Sequence, residues 1–166
     1  MSIRNKGFSL IEMIIVLAIL TIVSTGAIIG IRSIGYANTV NAAKRVDSVM
    51  DKVRLETMTR DAKQYLYLYN RDGVLYMRTD TTEITDPVSL TEATGTRLAH
   101  RVTLAYKKPG DGDETVLGNG GYLCITFLRS SGAFSLDSDY EYLKFTGSGK
   151  EAVIRCYMET GRHYVE

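Results

Sequence analysis

The feature that most constrains this chain is an apolar run near its amino terminus with one carboxylate at its start. Residues 13–31 contain no charged side chain, and Glu12 stands directly before them. As a helix, these nineteen residues would span about 28 Å, which suits the hydrocarbon core of a bilayer. A carboxylate at that depth is costly to bury unless it has a partner. The run therefore predicts a membrane helix in which Glu12 has a specific role.

A short basic leader precedes this run. Its charges are Arg4 and Lys6, and it ends where Gly7 is followed by Phe8, so that Glu12 is the fifth residue counted from Phe8. This arrangement resembles the class III signal of type IV prepilins and pseudopilins. The resemblance implies that a prepilin peptidase cleaves between Gly7 and Phe8 and then methylates the new amino terminus at Phe8.

The signal differs from an ordinary secretory signal in the position of its cleavage site. A secretory signal is cleaved after its apolar core, behind small residues, whereas here Gly30, Ile31 and Arg32 follow the core. Basic residues before the core and a long polar segment after it predict a cytoplasmic amino end and an exported carboxyl part. We expect a single-pass protein of the cell membrane that, as the resemblance implies, later joins an extracytoplasmic filament. A plain single-pass anchor is the alternative, and it leaves Glu12 without a role.

Glu12 is the residue to which we assign filament assembly. Its buried carboxylate needs a cation, and the ammonium freed at Phe8 of a neighbouring subunit is the natural partner, because burial favours paired charges over lone ones. Such a pair would set the axial register of a growing filament. The alternative is a protonated or snorkelling carboxyl without an assembly role. Gly26 and Gly30 form a GxxxG pattern, which suits close helix approach in membranes or a segment that stretches in a filament.

The hydrophobic period after the apolar run is at first helical. Apolar residues recur at helical spacing in a proline-free segment: Val46, Val49, Met50 and Val53. This spacing predicts an amphipathic continuation of the membrane helix to about Gln64. Two helices broken near Gly26, Gly30 and Gly35 are the alternative, because each Gly costs a helix about 1 kcal/mol.

From residue 65 onward the period changes to two, and Gly-rich turns separate the segments, as in an antiparallel sheet. Asn70-Arg71-Asp72-Gly73 stands between residues 65–69 and 74–79 and predicts a hairpin, since Gly73 can supply a positive φ. Further strands are predicted at residues 98–106, 122–128, 142–145 and 152–158. Residues 80–96 predict a long surface loop.

These patterns predict an α+β fold in which a long amino-terminal helix packs against a carboxyl-terminal antiparallel β-sheet domain, as in pilin-like proteins. The predicted division is a leader at 1–7, a transmembrane and assembly helix at 8–31, its amphipathic continuation at 32–64 and an exported β-sheet domain at 65–166. The sheet domain is similar to that of H-type minor pseudopilins of type II secretion. That similarity rests on Ile125-Thr126-Phe127, Ser131-Gly132, Val153-Ile154 and Thr160-Gly161-Arg162.

Charge and motif content argue for a structural role. From Arg32 onward there are 18 basic and 18 acidic residues, so a broad basic field for nucleic acid is excluded, although a small local patch stays open. No nucleophile elbow, phosphate loop or zinc signature occurs, and we expect no catalysis and no cofactor. His100 and His163 lack metal-ligand spacing. The carboxylates of residues 111–114 are spaced closely enough for Ca²⁺ but lack the calcium-loop pattern, so we favour a solvated turn and expect no metal.

Two cysteines occur, Cys124 and Cys156, both on predicted exported strands. One disulfide would be possible in that compartment. If Leu123 and Ile125 face the core, however, Cys124 points the other way, whereas Cys156 shares a face with Ile154. Opposite faces forbid bridging geometry, so we favour two free thiols.

The predicted function is that of a minor pilin or pseudopilin in a type IV pilus-like or type II secretion-like filament. The partners implied by the resemblance are a prepilin peptidase, sibling subunits, an assembly ATPase and an inner-membrane platform. A pseudopilin of a DNA-uptake machine is one alternative. A membrane-anchored binding or adhesion domain is another, with a Tyr-rich face formed by Tyr65, Tyr67, Tyr69 and Tyr76. Alternating sheet packing explains the same tyrosines, and we prefer that interpretation.

Overall fold

The computed structural model describes residues 10–166, with side chains described at 10–22 and 38–166. Gly7 and Phe8, the predicted cleavage and methylation residues, lie outside the described residues. The chain divides into two units, Met1–Ile34 and Gly35–Glu166, which we name the amino-terminal unit and the sheet unit. One helix, α1, is assigned from Leu10 to Thr59, and its backbone is helical at residues 26, 30 and 35. The helix therefore continues beyond the apolar run, as the helical period predicted, but it ends at Thr59 and not at Gln64.

The sheet unit contains nine strands in the described part of the chain. They are β1 (Tyr65–Arg71), β2 (Val74–Asp80), β3 (Thr96–His100), β4 (Thr103–Lys107), β5 (Thr115–Val116), β6 (Tyr122–Thr126), β7 (Tyr142–Gly147), β8 (Lys150–Tyr157) and β9 (Arg162–Val165). Two antiparallel sheets result: the first has the order β3-β2-β1-β6, and the second has the order β5-β4-β7-β8-β9. The predicted α+β fold is confirmed.

The predicted hairpin at residues 70–73 is also confirmed. β1 and β2 pair from Tyr65 with Asp80 to Arg71 with Val74. Asp72 and Gly73 form the turn with φ values of 50° and 73°. A two-residue turn with both φ values positive matches the right-handed twist of the flanking strands, and Asp-Gly is a preferred sequence for it.

The prediction of one continuous strand at residues 98–106 is wrong. β3 ends at His100 and β4 begins at Thr103, and Arg101 between them has a φ of 59°. A left-handed residue turns the chain out of the extended direction. The chain therefore leaves the first sheet and enters the second at Arg101, so that the single sheet expected from the alternation is in fact two.

The core of the sheet unit lies between α1 and the two sheets. One face of α1 is buried, and it consists of Ala42, Ala43, Val46, Met50 and Val53. These side chains join a single apolar cluster with residues of both sheets, including Leu68, Ile125, Leu143, Phe145 and Ile154. Burial of a large apolar side chain stabilises a fold by about 1.5–3 kcal/mol, so this cluster contributes strongly to holding α1 against both sheets.

Arg54 ties α1 to two turns of the sheet unit. Its guanidinium donates to the carbonyl oxygens of Gly132 and Thr160, each at 2.9 Å. The two turns touch each other, because a Cβ placed on Gly161 would lie 1.7 Å from the carbonyl oxygen of Gly132. Gly161 also has a φ of 65°, a conformation that residues with a Cβ rarely adopt.

Candidate functional site

The described amino-terminal unit presents Glu12 within an apolar surface. Glu12 lies in the first described turn of α1 and is exposed. All ten large apolar side chains from Leu10 to Ile22 are at least half exposed, from 51% at Val16 to 79% at Leu10. In the part of the chain that the structure describes, no helix combines the length and apolar character that a membrane crossing requires.

The tyrosines of the first sheet are covered by a loop. Tyr67, Tyr69 and Tyr76 form a second buried cluster with Leu90 on the sheet face opposite the core. The rings of Tyr69 and Tyr76 stack with centroids 5.6 Å apart. Residues 81–95, which include the short 3₁₀ helix Pro87–Ser89, form the covering loop.

Hydrogen bonds hold this loop in place. The Tyr67 hydroxyl accepts from the backbone N–H of Ile84 at 2.7 Å, and the Tyr69 hydroxyl donates to the carbonyl oxygen of Thr91 at 2.7 Å. Burial raises the pKa of the Tyr67 hydroxyl well above its usual value. These three tyrosines therefore serve packing, and they do not form an open adhesion face.

Cys124 and Cys156 are free thiols in the structure, as we predicted. Cys156 lies on β8 in the main core, whereas Cys124 lies on β6 and packs against the tyrosine cluster. The predicted opposite faces are correct, and the two residues also belong to different sheets. Burial raises the pKa of Cys124 to about 11 and that of Cys156 to about 12. Both thiols are thus protonated and weakly nucleophilic at neutral pH.

His163 joins β9 to α1. Its side chain is fully buried, with Nε2 3.2 Å from the Asp47 carbonyl oxygen and Nδ1 3.1 Å from the Gly161 carbonyl oxygen. Phe127 and Phe134 lie beside the ring. A neutral imidazole has one N–H and satisfies only one of these carbonyl groups, whereas the protonated ring satisfies both.

Two carboxylates face the same imidazole. Nε2 of His163 lies 3.4 Å from Oδ1 of Asp51 and 3.9 Å from Oδ1 of Asp47. Burial raises the pKa of Asp47, and the charges of His163 and Asp51 act on it in opposite directions, His163 lowering it and Asp51 raising it. The arrangement is a polar contact that connects α1 to β9. Sequence reasoning missed it, because Asp47 and His163 are 116 residues apart and no local spacing marks them.

The other residues considered as metal ligands do not come together in one site. Asp111 and Asp113 are exposed, and Glu114 forms an ion pair with Lys144 of β7. His100 is exposed at the end of β3. Within residues 10–166, no group of three or more His, Cys, Asp or Glu side chains is arranged to hold a metal ion.

Comparison with known families identifies the amino-terminal segment. The family model of the prokaryotic N-terminal methylation motif matches residues 3–28. No curated protein and no solved structure shows significant similarity to this chain. The matched segment is the class III signal of type IV pilins and pseudopilins, and it contains the junction of Gly7 and Phe8 together with Glu12.

This signal indicates a class of protein. The motif supports a type IV pilin-like or pseudopilin protein, and it implies processing by prepilin peptidase and assembly into a filament. The α+β fold, with an amino-terminal helix and an antiparallel carboxyl part, is consistent with that class.

Proposed function

We propose that this protein is a minor pilin or pseudopilin in a type II secretion-like or type IV pilus-like filament, with a structural and not a catalytic role. The observation that carries the proposal is the methylation motif at residues 3–28. The apolar side chains from Leu10 to Ile22 support it, because a continuous exposed apolar surface requires lipid or protein neighbours.

The proposed sequence of events starts at the membrane. The uncharged residues 13–31 hold the precursor there as a single-pass protein, and the sheet unit is exported. Prepilin peptidase removes residues 1–7 and methylates the amine of Phe8. An assembly ATPase and an inner-membrane platform then move the subunit from the bilayer into a filament with its siblings.

Glu12 supplies the register of that filament in this proposal. In a medium of low dielectric constant, a carboxylate and an ammonium attract strongly, and each is costly to bury alone. The ammonium at Phe8 of a neighbouring subunit is the cation that the motif provides. A subunit shifted along the filament axis would lose this pair, so that the pair selects one axial position.

The H-type minor pseudopilins of type II secretion are the subclass that we favour. The residues behind this proposal include Ser131-Gly132 and Thr160-Gly161-Arg162, which lie far apart in the sequence. Their turns are in contact in the sheet unit and share Arg54 as a donor. This contact between two of the four segments behind the comparison supports the proposed subclass.

Intact mass of the protein extracted from host membranes tests the proposal. We expect a chain that begins at Phe8 and carries one added methyl group, whereas cells without the peptidase should retain residues 1–7. Gly7→Leu should block cleavage because a close-fitting peptidase site needs a small residue there. Asn5→Ala changes the leader without touching the junction and should be cleaved normally. Retention of the leader in cells that possess the peptidase would overturn the proposal.

Deletion of the gene in its host would separate the candidate machines. We expect loss of protein secretion with normal pili and normal DNA uptake. Loss of DNA uptake alone would assign the subunit to an uptake machine instead.

A further inference from the structure

One flank of α1 in the sheet unit borders an open groove. The groove consists of two adjoining cavities of about 630 and 590 Å³ between α1 and strands β2 and β3. Both cavities include Val49 and Met77, and Leu98 lines the second. Val49 and Leu98 are only partly buried, so the groove has an apolar floor that is open to solvent.

Basic side chains without an ion-pair partner lie beside the apolar floor of the groove. Lys44, Arg45 and Lys52 line these cavities and are exposed, and none of them has an ion-pair partner among the residues whose side chains the structure describes, 10–22 and 38–166. Arg45 donates to the Arg97 carbonyl oxygen at 3.2 Å, which holds the flank of α1 beside β3. The carboxylate of Asp80 in the groove is already paired with Arg78 at 2.6 Å. An occupant of the groove should therefore combine an apolar side chain with negative charge.

The same chain presents such a segment, which we name the knob: residues 136–139. Leu136 is 92% exposed, and Asp137 beside it is exposed as well. The neighbouring Ser138 is only 1% exposed, and its Oγ accepts from the Thr126 N–H at 2.8 Å and donates to the Cys124 carbonyl oxygen at 3.0 Å. The knob is thus anchored to β6, with an apolar side chain held in solvent.

The groove and the knob lie at opposite edges of the first sheet. In the order β3-β2-β1-β6, the groove borders the β3 side and the knob is anchored to the β6 edge, three strand spacings or about 14 Å away. A knob therefore cannot reach the groove of its own chain. A contact between two different surfaces of identical subunits extends into an open chain unless the rotation closes a ring.

We propose that the knob of one copy docks in the groove of a second copy. Leu136 contacts the apolar floor at Met77 and Leu98, while Asp137 and Asp139 face the cations at Lys44 and Lys52. This inference rests on the proposed filament function, because one turn in one groove is a smaller contact than stable protein pairs bury. Assembly through the amino-terminal unit raises the effective concentration of the knob of one copy near the groove of the next, and the contact between them then persists.

Cross-linking of full-length chains in host cells tests the proposal. Two differently tagged copies are co-expressed, one with Leu136→Cys and the other with Leu98→Cys, and treated with a short bismaleimide. We expect an adduct between the two tags and much less adduct within either tag. Val88→Cys replaces Leu136→Cys in the matched control, because Val88 is also highly exposed, at 75%, on a short 3₁₀ helix.

Charge reversal adds an independent readout. Asp137→Lys with Asp139→Lys should lower the adduct yield about five- to tenfold, as should Lys44→Glu with Lys52→Glu, because weak ion pairs become repulsive. The two sets together should restore the yield. Failure of this restoration, or an equal yield from the Val88→Cys control, overturns the proposal.

Processing and partner identity are measured in the same cells. Normal removal of residues 1–7 and normal filament incorporation without adduct would overturn the docking but leave the proposed function intact. Failure of processing in the unmodified chain would overturn the proposed function itself. An adduct from Leu136→Cys to a protein other than this chain, with none between the two tags, would replace the second copy by a sibling subunit and overturn the proposal.

Discussion

The two units differ in the exposure of their large apolar side chains. Between Leu10 and Ile22, every large Leu, Ile, Val and Met side chain is at least half exposed. In the sheet unit, Val46, Met50 and Ile154 are fully buried. The sheet unit covers its apolar residues with its own chain, whereas the apolar residues from Leu10 to Ile22 are exposed in the described part of the chain and require lipid or protein neighbours.

We therefore expect assembly to depend on the amino-terminal unit and the stability of the fold to depend on the sheet unit. Substitutions in the amino-terminal unit should change what the protein joins and leave the sheet unit folded. Substitutions at the contacts of the sheet unit should change its free energy of unfolding and leave processing intact. A substitution that changed both would contradict this division of roles.

The largest expected effect concerns Glu12. Glu12→Leu should lower incorporation into filaments a hundredfold or more, because breaking a buried ion pair costs about 3–5 kcal/mol. Glu12→Gln keeps the shape of the side chain and separates the effect of charge from that of size. Immunoblots report cleavage, and the amount recovered in sheared filaments reports incorporation. Normal incorporation of both variants would remove the assembly role of Glu12.

The next effect concerns the contact between two turns in the sheet unit. Gly161→Ala should destabilise the unit by about 3 kcal/mol or more, because it combines an unfavourable positive φ with a clash against a backbone carbonyl group. Gly149→Ala is the matched control, since Gly149 also has a positive φ, of 73°, but an added Cβ would meet no atom within 4 Å. We expect about 1 kcal/mol there. Equal losses in urea unfolding of the two variants would contradict the proposed clash.

A smaller effect is expected at Arg54. Arg54→Met keeps much of the apolar stem but removes both hydrogen bonds to the turns, which should cost about 2 kcal/mol. Lys52→Met on the same helix removes an exposed charge without such bonds and should change the free energy of unfolding by less than about 0.5 kcal/mol. Urea unfolding of both variants makes the comparison. A loss at Lys52 as large as that at Arg54 would show that the turns are not tied through Arg54.

The smallest expected effect is that of a reducing agent, which should leave the unfolding midpoint of the sheet unit unchanged. Cys124 and Cys156 lie in different sheets as free thiols. Labelling of the denatured protein should therefore reach two thiols with or without prior reduction. Labelling that requires reduction would show that the two strands have a different register from the one described.

Features that depend on neighbours along the chain could be predicted from the sequence. The signal at residues 6–12, the helical period of Val46, Met50 and Val53, and the turn at Asp72 and Gly73 are of this kind. Helix period, turn type and the cost of a charge in an apolar run are set within a few residues. The class of the amino-terminal signal therefore follows from local sequence alone.

Features that depend on residues far apart were decided only by the tertiary structure. Alternation alone could not show that the chain changes sheets at Arg101 or that His163 reaches Asp47. It also could not tell the buried Phe134 from Leu136, which follows two residues later and is 92% exposed. The physical reason is that a period of two assigns a side chain to one face of a strand, but only the packing of distant elements decides whether that face meets the core, a covering loop or solvent.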